Sequence, residues 1–318
     1  MEIEFTFFSI ATAIIKLLIL MFAGYFLYSF RLINDKFNDK LALLLVKLFF
    51  PALIISKITA HFSFTEYTYW WFLPLCAIAF SLTGMLMGAG IHRFLKGFGS
   101  RKEFMCSCGF SNCGYLPMNL ILFSFAGALG DKLLIYTFLF TLGFNMLMWS
   151  LVPLFLSGKL RSGFNPKVLL NAPVVAIIFS LLWVALMGKH SLPGIVAGPL
   201  GQLGQAAFPI AMLTLGAYLC KYKAHRSDDN IPLIAATVTK LVLFPALILI
   251  PLVLAPLAPD YKFILFMQAI MPTAVSLVII GSYAEADVKF LSSSIFYTHL
   301  VAIFSIPLWL AVFRFILG

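Results

Sequence analysis

The chain reads as long apolar runs separated by short polar interruptions, and almost no stretch departs from that pattern. Each run is about 20 residues, the length a helix needs to cross the hydrocarbon core of a bilayer. Marking the polar punctuation predicts ten spans, at about 7–30, 41–60, 70–92, 103–126, 132–156, 167–187, 196–219, 231–256, 261–283 and 291–316. The connections are short, so no soluble domain is expected beside the bundle. The expected fold class is an all-α membrane protein of ten transmembrane helices, with all function inside it.

Composition agrees. Of 318 residues, 62% are hydrophobic and 11% charged, with mean hydropathy +1.02, against roughly 25% charged residues in a soluble domain. That excludes a soluble enzyme, a nucleic-acid binder and a disordered regulator. The acidic start, Met1-Glu2-Ile3-Glu4, lacks the basic residues of a secretory signal, so the first span is expected to be retained. Cys76, Cys106, Cys108, Cys113 and Cys220 sit in or beside apolar segments, and disulfides are not expected.

The net charge of +10 resolves into topology. Alternate loops hold Arg31, Lys36 and Lys40, then Arg93, Lys96, Arg101 and Lys102, then Lys159, Arg161 and Lys167, then Lys221, Lys223 and Arg226, and finally Lys289. The opposite side holds only Lys57, Lys132, Lys189, Lys262 and Arg314. Because basic residues are retained on the cytoplasmic side, both termini are expected on the other face, in a cell membrane of the bacterial inner-membrane type.

Prolines mark an internal repeat. Phe50-Pro51 is answered by Phe208-Pro209 and Pro74-Leu75 by Pro232-Leu233, each 158 residues on; Leu116-Pro117 is answered by Met271-Pro272 at 155 and Pro153-Leu154 by Pro307-Leu308 at 154. A duplicated unit of five spans must lie upside down in its second copy. This predicts two inverted repeats, 1–156 and 157–318, and in such transporters substrate sits near the midplane where broken helices from the two repeats meet.

Spans four and nine carry the break signals. Pro117 cannot donate to the carbonyl of Cys113, Gly114 weakens the same turn, and Pro272 frees the carbonyl of Gln268 in the same way. Unsatisfied backbone at membrane depth is tolerated only in a protein interior or a wet cavity, so both breaks are expected to face one site. A half-helix N-terminus suits an anion, and Asn112 and Gln268 place amides beside the breaks. The expected substrate site is Asn112, Cys113, Gly114, Lys240, Gln268, Thr273 and Ser276, with Pro117 and Pro272 as the helix-breaking residues.

All 12 acidic residues fall in loops or at span ends, against a cation relay built on buried carboxylates. Lys16 and Lys240 fall near mid-span, where a lysine costs about 2.5–3.5 kcal/mol to insert, whereas Lys47 is near enough to an end to snorkel. A buried ammonium without a carboxylate must lose its proton, reach water, bind carbonyls or pair with a passing anion. The last option suits a carrier of organic anions, with Lys240 its first candidate. His299, near the middle of span ten, could couple proton movement. The spacing of Cys106, Cys108 and Cys113 fits no common metal pattern, so no metal or cofactor is expected. Tyr67, Tyr69, Trp70 and Trp71 read as an interfacial aromatic belt.

These segments also resemble a known family. Asn112-Cys113-Gly114-Tyr115-Leu116-Pro117 resembles the N-x-G-x-x-x-P region of the auxin efflux carriers, and Asn171-Ala172-Pro173 is similar to their Asn-Pro-Pro motif, with Ala172 in place of its first proline. Phe208 to Gly216 is similar to their seventh span, and Gln268 through Pro307 to their ninth and tenth. The resemblance covers essentially the whole chain, and it extends to the superfamily shared with bile-acid and arsenite transporters. It implies a scaffold domain from spans 1, 2, 6 and 7 and a transport domain from spans 3, 4, 5, 8, 9 and 10, with helices four and nine crossing at the site. It further implies an elevator mechanism, a homodimer in lipid, and an organic anion as cargo. The short connection Ser157 to Pro166 resembles compact bacterial members, which suggests small carboxylates such as malate or malonate beside an auxin-like acid. A sodium-coupled symporter of the bile-acid type is the alternative. A membrane enzyme or receptor would need a catalytic constellation or an external ligand domain, and neither is legible.

Overall fold

A computed structural model describes residues 7–95, 97–158, 170–223 and 230–317. Lys96, Lys159, Arg161, Lys167 and Arg226, and the start expected for the sixth span, lie outside the described residues. Within them the molecule is helical, and the one β-type pairing is an isolated bridge. Helix α1 is Phe7–Ser29; α2, Asp35–Leu44, runs through a π turn at Leu45–Phe49 into α3, Phe50–His61; α4 is Phe72–His92. Then come α5 (Arg101–Gly109), α6 (Tyr115–Ser124), α7 (Gly127–Leu156), α8 (Ala172–Met187) and α9 (Gly194–Lys223). The last part holds α10 (Asn230–Val238), a second π turn (Thr239–Leu243), α11 (Phe244–Leu254), α12 (Pro259–Ala269), α13 (Ser276–Tyr283) and α14 (Val288–Leu317).

Seven of the continuous helical stretches are long and apolar enough to cross a membrane. The other expected spans are shorter for physical reasons. Those expected at 103–126 and 261–283 are each two half-helices, α5 with α6 and α12 with α13. The sixth is represented by α8, whose N-terminus is capped by Asn171: its side-chain oxygen accepts from the backbone N–H of Val174 at 3.1 Å. Asn34 does the same for α2 through Phe37.

Both π turns precede the same tetrapeptide, Phe50-Pro51-Ala52-Leu53 and Phe244-Pro245-Ala246-Leu247. A proline inside a helix has no N–H to give the carbonyl four residues back and its ring crowds that carbonyl. One wider turn relieves the clash. In the second case the freed carbonyl belongs to Leu241, and Trp309 Nε1 donates to it at 2.7 Å. A side chain of α14 thus satisfies a backbone group that would otherwise be stranded in hydrocarbon.

Helix α1 packs along α9, and α3 against α8 and α9; α4 packs on α5 and α7, and α14 on α10. Small residues permit the closest approaches. A Cβ on Gly216 would lie 1.9 Å from the carbonyl oxygen of Met21, and one on Gly24 would lie 2.1 Å from that of Leu213. The α1–α9 seam is therefore in backbone contact from both sides, as packing in lipid favours. Charged groups pair at the ends of the bundle: Lys57 with Asp131 at 2.6 Å, Lys189 with Glu66 at 2.5 Å, Lys132 with Asp260, and Lys221 with Asp35 at 3.5 Å.

Gly216→Val should separate α1 from α9. Because backbone rather than a movable side chain opposes the new atoms, the loss should reach the upper part of the ~1–3 kcal/mol range for overpacking. It is read as a lowered thermal unfolding midpoint in detergent, with Gly198→Val, whose Cβ position is open, as the unchanged control.

Candidate functional site

The two helix breaks meet. Ser111 and Thr273 form an antiparallel bridge, in which Asn112 N–H donates to Pro272 O at 2.7 Å and Ala274 N–H donates to Phe110 O at 2.9 Å. Each interruption thus supplies the hydrogen bonds that the other lost by leaving the helix. The first opening comes earlier than the prolines suggest. The chain leaves α5 at Phe110 and re-enters a helix after Gly114, so Pro117 stands in the first turn of α6, where a missing N–H is harmless. Pro272 lies inside the second break and contributes its carbonyl.

Three of the last four carbonyls of α5 have identifiable donors. Cys106 O accepts from Phe110 N–H at 2.9 Å, Ser107 O from the Thr273 hydroxyl at 3.0 Å, and Cys108 O from Lys240 Nζ at 3.2 Å. Lys240 also donates to Ser111 Oγ at 2.6 Å, and its ammonium lies 4.9 Å from the ring centroid of Phe244. It is fully buried. A cation at the negative end of a helix is electrostatically favoured, and of the routes open to an unpaired ammonium, this one binds carbonyl and hydroxyl oxygen. Lys16 and Lys47 are exposed on the bundle surface, Lys16 with its ammonium 5.7 Å from the ring centroid of Phe123.

Beside the crossing lies a cavity of about 90 Å³. Asn112, Cys113, Gly114 and Ser276 line it, as the break signals predict; Lys240, Gln268 and Thr273 are not among its lining residues. Thr273 braces the crossing from behind, its backbone N–H donating to Thr298 Oγ1 at 3.2 Å. Gln268 is buried with neither amide atom hydrogen-bonded among the described residues. His299 faces a separate apolar cavity between α1, α6 and α14, and reaches the first one only through Asn112, 3.1 Å from its Nε2.

Three polar residues at the cavity were not singled out from the sequence: Ser111, Thr141 and Asn145. The last two lie on α7 with Phe144 and Trp149, which complete that wall, while Val46, Phe50 and Ile54 of the α2–α3 rod and Pro173 of α8 form the wall opposite. The signal for Asn145 is its solitary amide within the apolar segment Phe138–Trp149. The starts of α6 and α13, at Gly114-Tyr115 and Val275-Ser276, both border the cavity. Leu277 and Val278 donate back to Ala274 O and Val275 O at 3.2 and 3.3 Å, and Met118 to Gly114 O at 3.2 Å, so it is the positive ends of two helix dipoles that converge on a space with no acidic residue in its lining.

Comparison with known proteins gives a consistent picture. The sequence profile of a family described as "Membrane transport protein" matches residues 9–163 and 158–310. An uncharacterized transporter of Methanocaldococcus jannaschii is 24% identical over 305 residues, covering 93% of this chain and 96% of that protein. An uncharacterized transporter of Methanothermobacter thermautotrophicus is 24% identical over 316 residues, covering 94% and 97%.

Lys240→Met keeps much of the aliphatic stem and deletes the ammonium, leaving Cys108 O and Ser111 Oγ without their donor. An unsatisfied buried acceptor costs about 1–3 kcal/mol. A lowered unfolding midpoint of the purified variant is expected, and an unchanged one would show that the ammonium does not hold the end of α5.

Proposed function

Because this chain belongs to the membrane transport protein family, that of the auxin efflux carriers, we propose that it is a secondary transporter of small organic carboxylates, such as malate, malonate or an auxin-like acid. That it is an integral membrane transport protein rather than an enzyme follows from the family. The choice of cargo rests on one observation: two half-helix N-termini and the amide of Asn112 border a small cavity that no acidic residue lines. Positive helix ends favour a carboxylate even in the absence of a cationic side chain. In this reading Lys240 supplies background positive potential and holds the crossing together.

Ten spans in two inverted repeats are supported by the way helices pair. If the repeat maps spans one to five onto six to ten, the contact of α1 with α9 becomes that of α8 with α3, and the contact of α4 with α7 becomes that of the α10–α11 rod with α14. All four occur. The proposed division into scaffold (spans 1, 2, 6 and 7) and transport domain places the cavity on the seam between them, with the α2–α3 rod and α8 on one wall and the crossing and α7 on the other. By the basic-residue rule the cavity lies toward the cytoplasm. At the opposite end Lys57 of α3 grips Asp131 of α7 at 2.6 Å across the same seam. A second cavity of about 460 Å³, lined by His61, Asp131, Lys132 and Lys189 among others, lies beside that pair, so the elevator movement rests on the resemblance and on the placing of the first cavity at the seam. A homodimer in a bacterial inner membrane, with both termini outside the cytoplasm, completes the reading.

The alternative, a sodium-coupled symporter, has an observation of its own. Gln268, Ser107 and Ser294 are buried near the crossing with side-chain oxygens that accept no hydrogen bond from the described residues, and oxygen is the ligand a small hard cation prefers.

Uptake of a panel of labelled carboxylates into proteoliposomes, with sodium and proton gradients imposed in turn, separates these readings. Saturable counterflow of a small carboxylate without sodium is expected, and strict sodium dependence would favour the symporter. Asn112→Ala should forfeit a hydrogen bond to a charged cargo, about 1.5–3 kcal/mol, seen as a rise in KM of about tenfold or more. Pro272→Ala should abolish uptake while the protein stays monodisperse, because a continuous helix there withdraws the carbonyl that holds Asn112. Wild-type rates in either variant would count against the site.

A further inference from the structure

One end of the Asn112 amide is already assigned. On α14, His299 Nδ1 lies 2.9 Å from the carbonyl oxygen of Ile295. A carbonyl can only accept, so Nδ1 carries a proton, and in the neutral ring Nε2 is then a lone-pair acceptor. Nε2 lies 3.1 Å from Asn112 Nδ2. The amide NH₂ therefore donates to the ring, and Oδ1 is left with no hydrogen-bond donor among the described residues. Since Asn112 lines the cavity, the buried amide offers the cavity an acceptor, which has the wrong sign for a carboxylate.

We propose that His299 is a positioning residue whose protonation decides which end of the Asn112 amide meets the cargo. This deepens the carboxylate reading above and rests on it. A proton added at Nε2 makes that nitrogen a donor, which cannot face NH₂. A half-turn of the amide about its Cβ–Cγ bond restores the contact with Oδ1 as acceptor, and the same half-turn swings Nδ2 toward the cavity as a donor. Proton and carboxylate then occupy opposite sides of one side chain. By linkage each raises the affinity for the other by the same factor.

The surroundings leave the imidazolium no other counter-charge. Helix α1 presents Leu17 and Met21 to the ring's cavity, and α6 presents Leu116 and Leu120. The ionisable groups on neighbouring elements are otherwise engaged or turned elsewhere. Lys240 is held by Cys108 O and Ser111 Oγ, Lys16 of α1 lies over the Phe123 ring, and Tyr218 of α9 donates to Asp39. Glu103 of α5 accepts from the backbone N–H of Asp287 at the far end of that helix. The thiols of Cys106, Cys108 and Cys113 are buried, the phenol of Tyr115 is half-buried, and both kinds of group are ordinarily neutral at physiological pH. An anion in the cavity is thus the partner that balances a charged His299, and proton and cargo move together.

The test uses the full-length protein in proteoliposomes with malate as the probe, initial rates measured between about pH 5.5 and 8, and a pH-sensitive dye trapped inside. The KM for malate is expected to fall as pH falls while the maximal rate changes little, with protons entering alongside malate. In His299→Gln, which still offers Asn112 an amide but cannot become charged, the KM should lose this dependence and malate should enter without protons. A flat profile in the unsubstituted protein, or an unaltered one in the variant, overturns the proposal and leaves carboxylate transport standing. Failure to move any carboxylate sinks the underlying reading instead. Independently of transport, ¹⁵N-histidine NMR of protein whose other four histidines are replaced by glutamine should show the Nδ1–H tautomer without ligand and a doubly protonated ring when malate is added at constant pH. A ring that stays neutral in malate, or begins as the Nε2–H tautomer, overturns the proposal whether or not transport is seen.

Discussion

Two backbone hydrogen bonds, Asn112 N–H to Pro272 O and Ala274 N–H to Phe110 O, join two helices that each stop partway across the bundle. Water is not available in hydrocarbon to satisfy a broken helix, and each unpaired backbone group there costs several kcal/mol. Neither interruption is tolerable alone. Because each supplies donors and acceptors to the other, the crossing forms as a unit, and four half-helix ends are brought to one level. The features near the cavity follow from that: the positive ends of α6 and α13 border it, and Asn112 lines it from the crossing itself.

The opposite ends of the half-helices create the complementary difficulty. Where α5 stops, its carbonyls point into the interior, and three different groups cover them: a backbone N–H of the break, the hydroxyl of Thr273 from the other break, and the ammonium of Lys240. Two of these donors come from the second half of the chain. The crossing is therefore closed by contacts that exist only once both halves have assembled. Lys240, the one buried lysine among the described residues, offsets its own burial by neutralising a helix end and so acts as a structural cation.

Much of this is legible in the residues. Prolines and glycines mark where helices cannot continue, so the two broken spans and Asn112 follow from Gly114, Pro117 and Pro272. The opening nevertheless sits before Pro117, because a proline is accommodated at the start of a helix more readily than at the end of one. Less can be read of the α7 wall. That helix is apolar, with its proline near the C-terminal end, and only Thr141 and the lone amide of Asn145 mark its cavity-facing side. The partners of Lys240 are not legible at all, since they depend on how a span from the second half passes a helix end from the first. The π turns lie between these cases: the Phe-Pro-Ala-Leu tetrapeptide recurs visibly, but that the helix widens rather than kinks depends on neighbours such as Trp309 that cover the freed carbonyl.

The two kinds of interface in the molecule differ in what movement they permit. The seam between α1 and α9 is held by backbone-to-backbone approach at Gly24 and Gly216, and such contacts have no slack: a shift of an ångström along the seam drives a carbonyl into a Cα. The seam at the cavity is made instead of Phe50, Ile54, Phe144 and Trp149 facing each other across open space, and apolar side chains can exchange neighbours at little cost. At its far end that seam is bridged by Lys57 and Asp131, partly exposed at side-chain values of 31% and 20% beside a second cavity, where water can replace each partner and the pair is worth ~1 kcal/mol or less. Rigid packing within the proposed scaffold, an apolar face along the seam and a weak polar pair at its far end are what the proposed elevator movement would need. In such a movement the two hydrogen bonds at the centre of the crossing would have to stay intact, because breaking them returns four unsatisfied groups to the membrane interior.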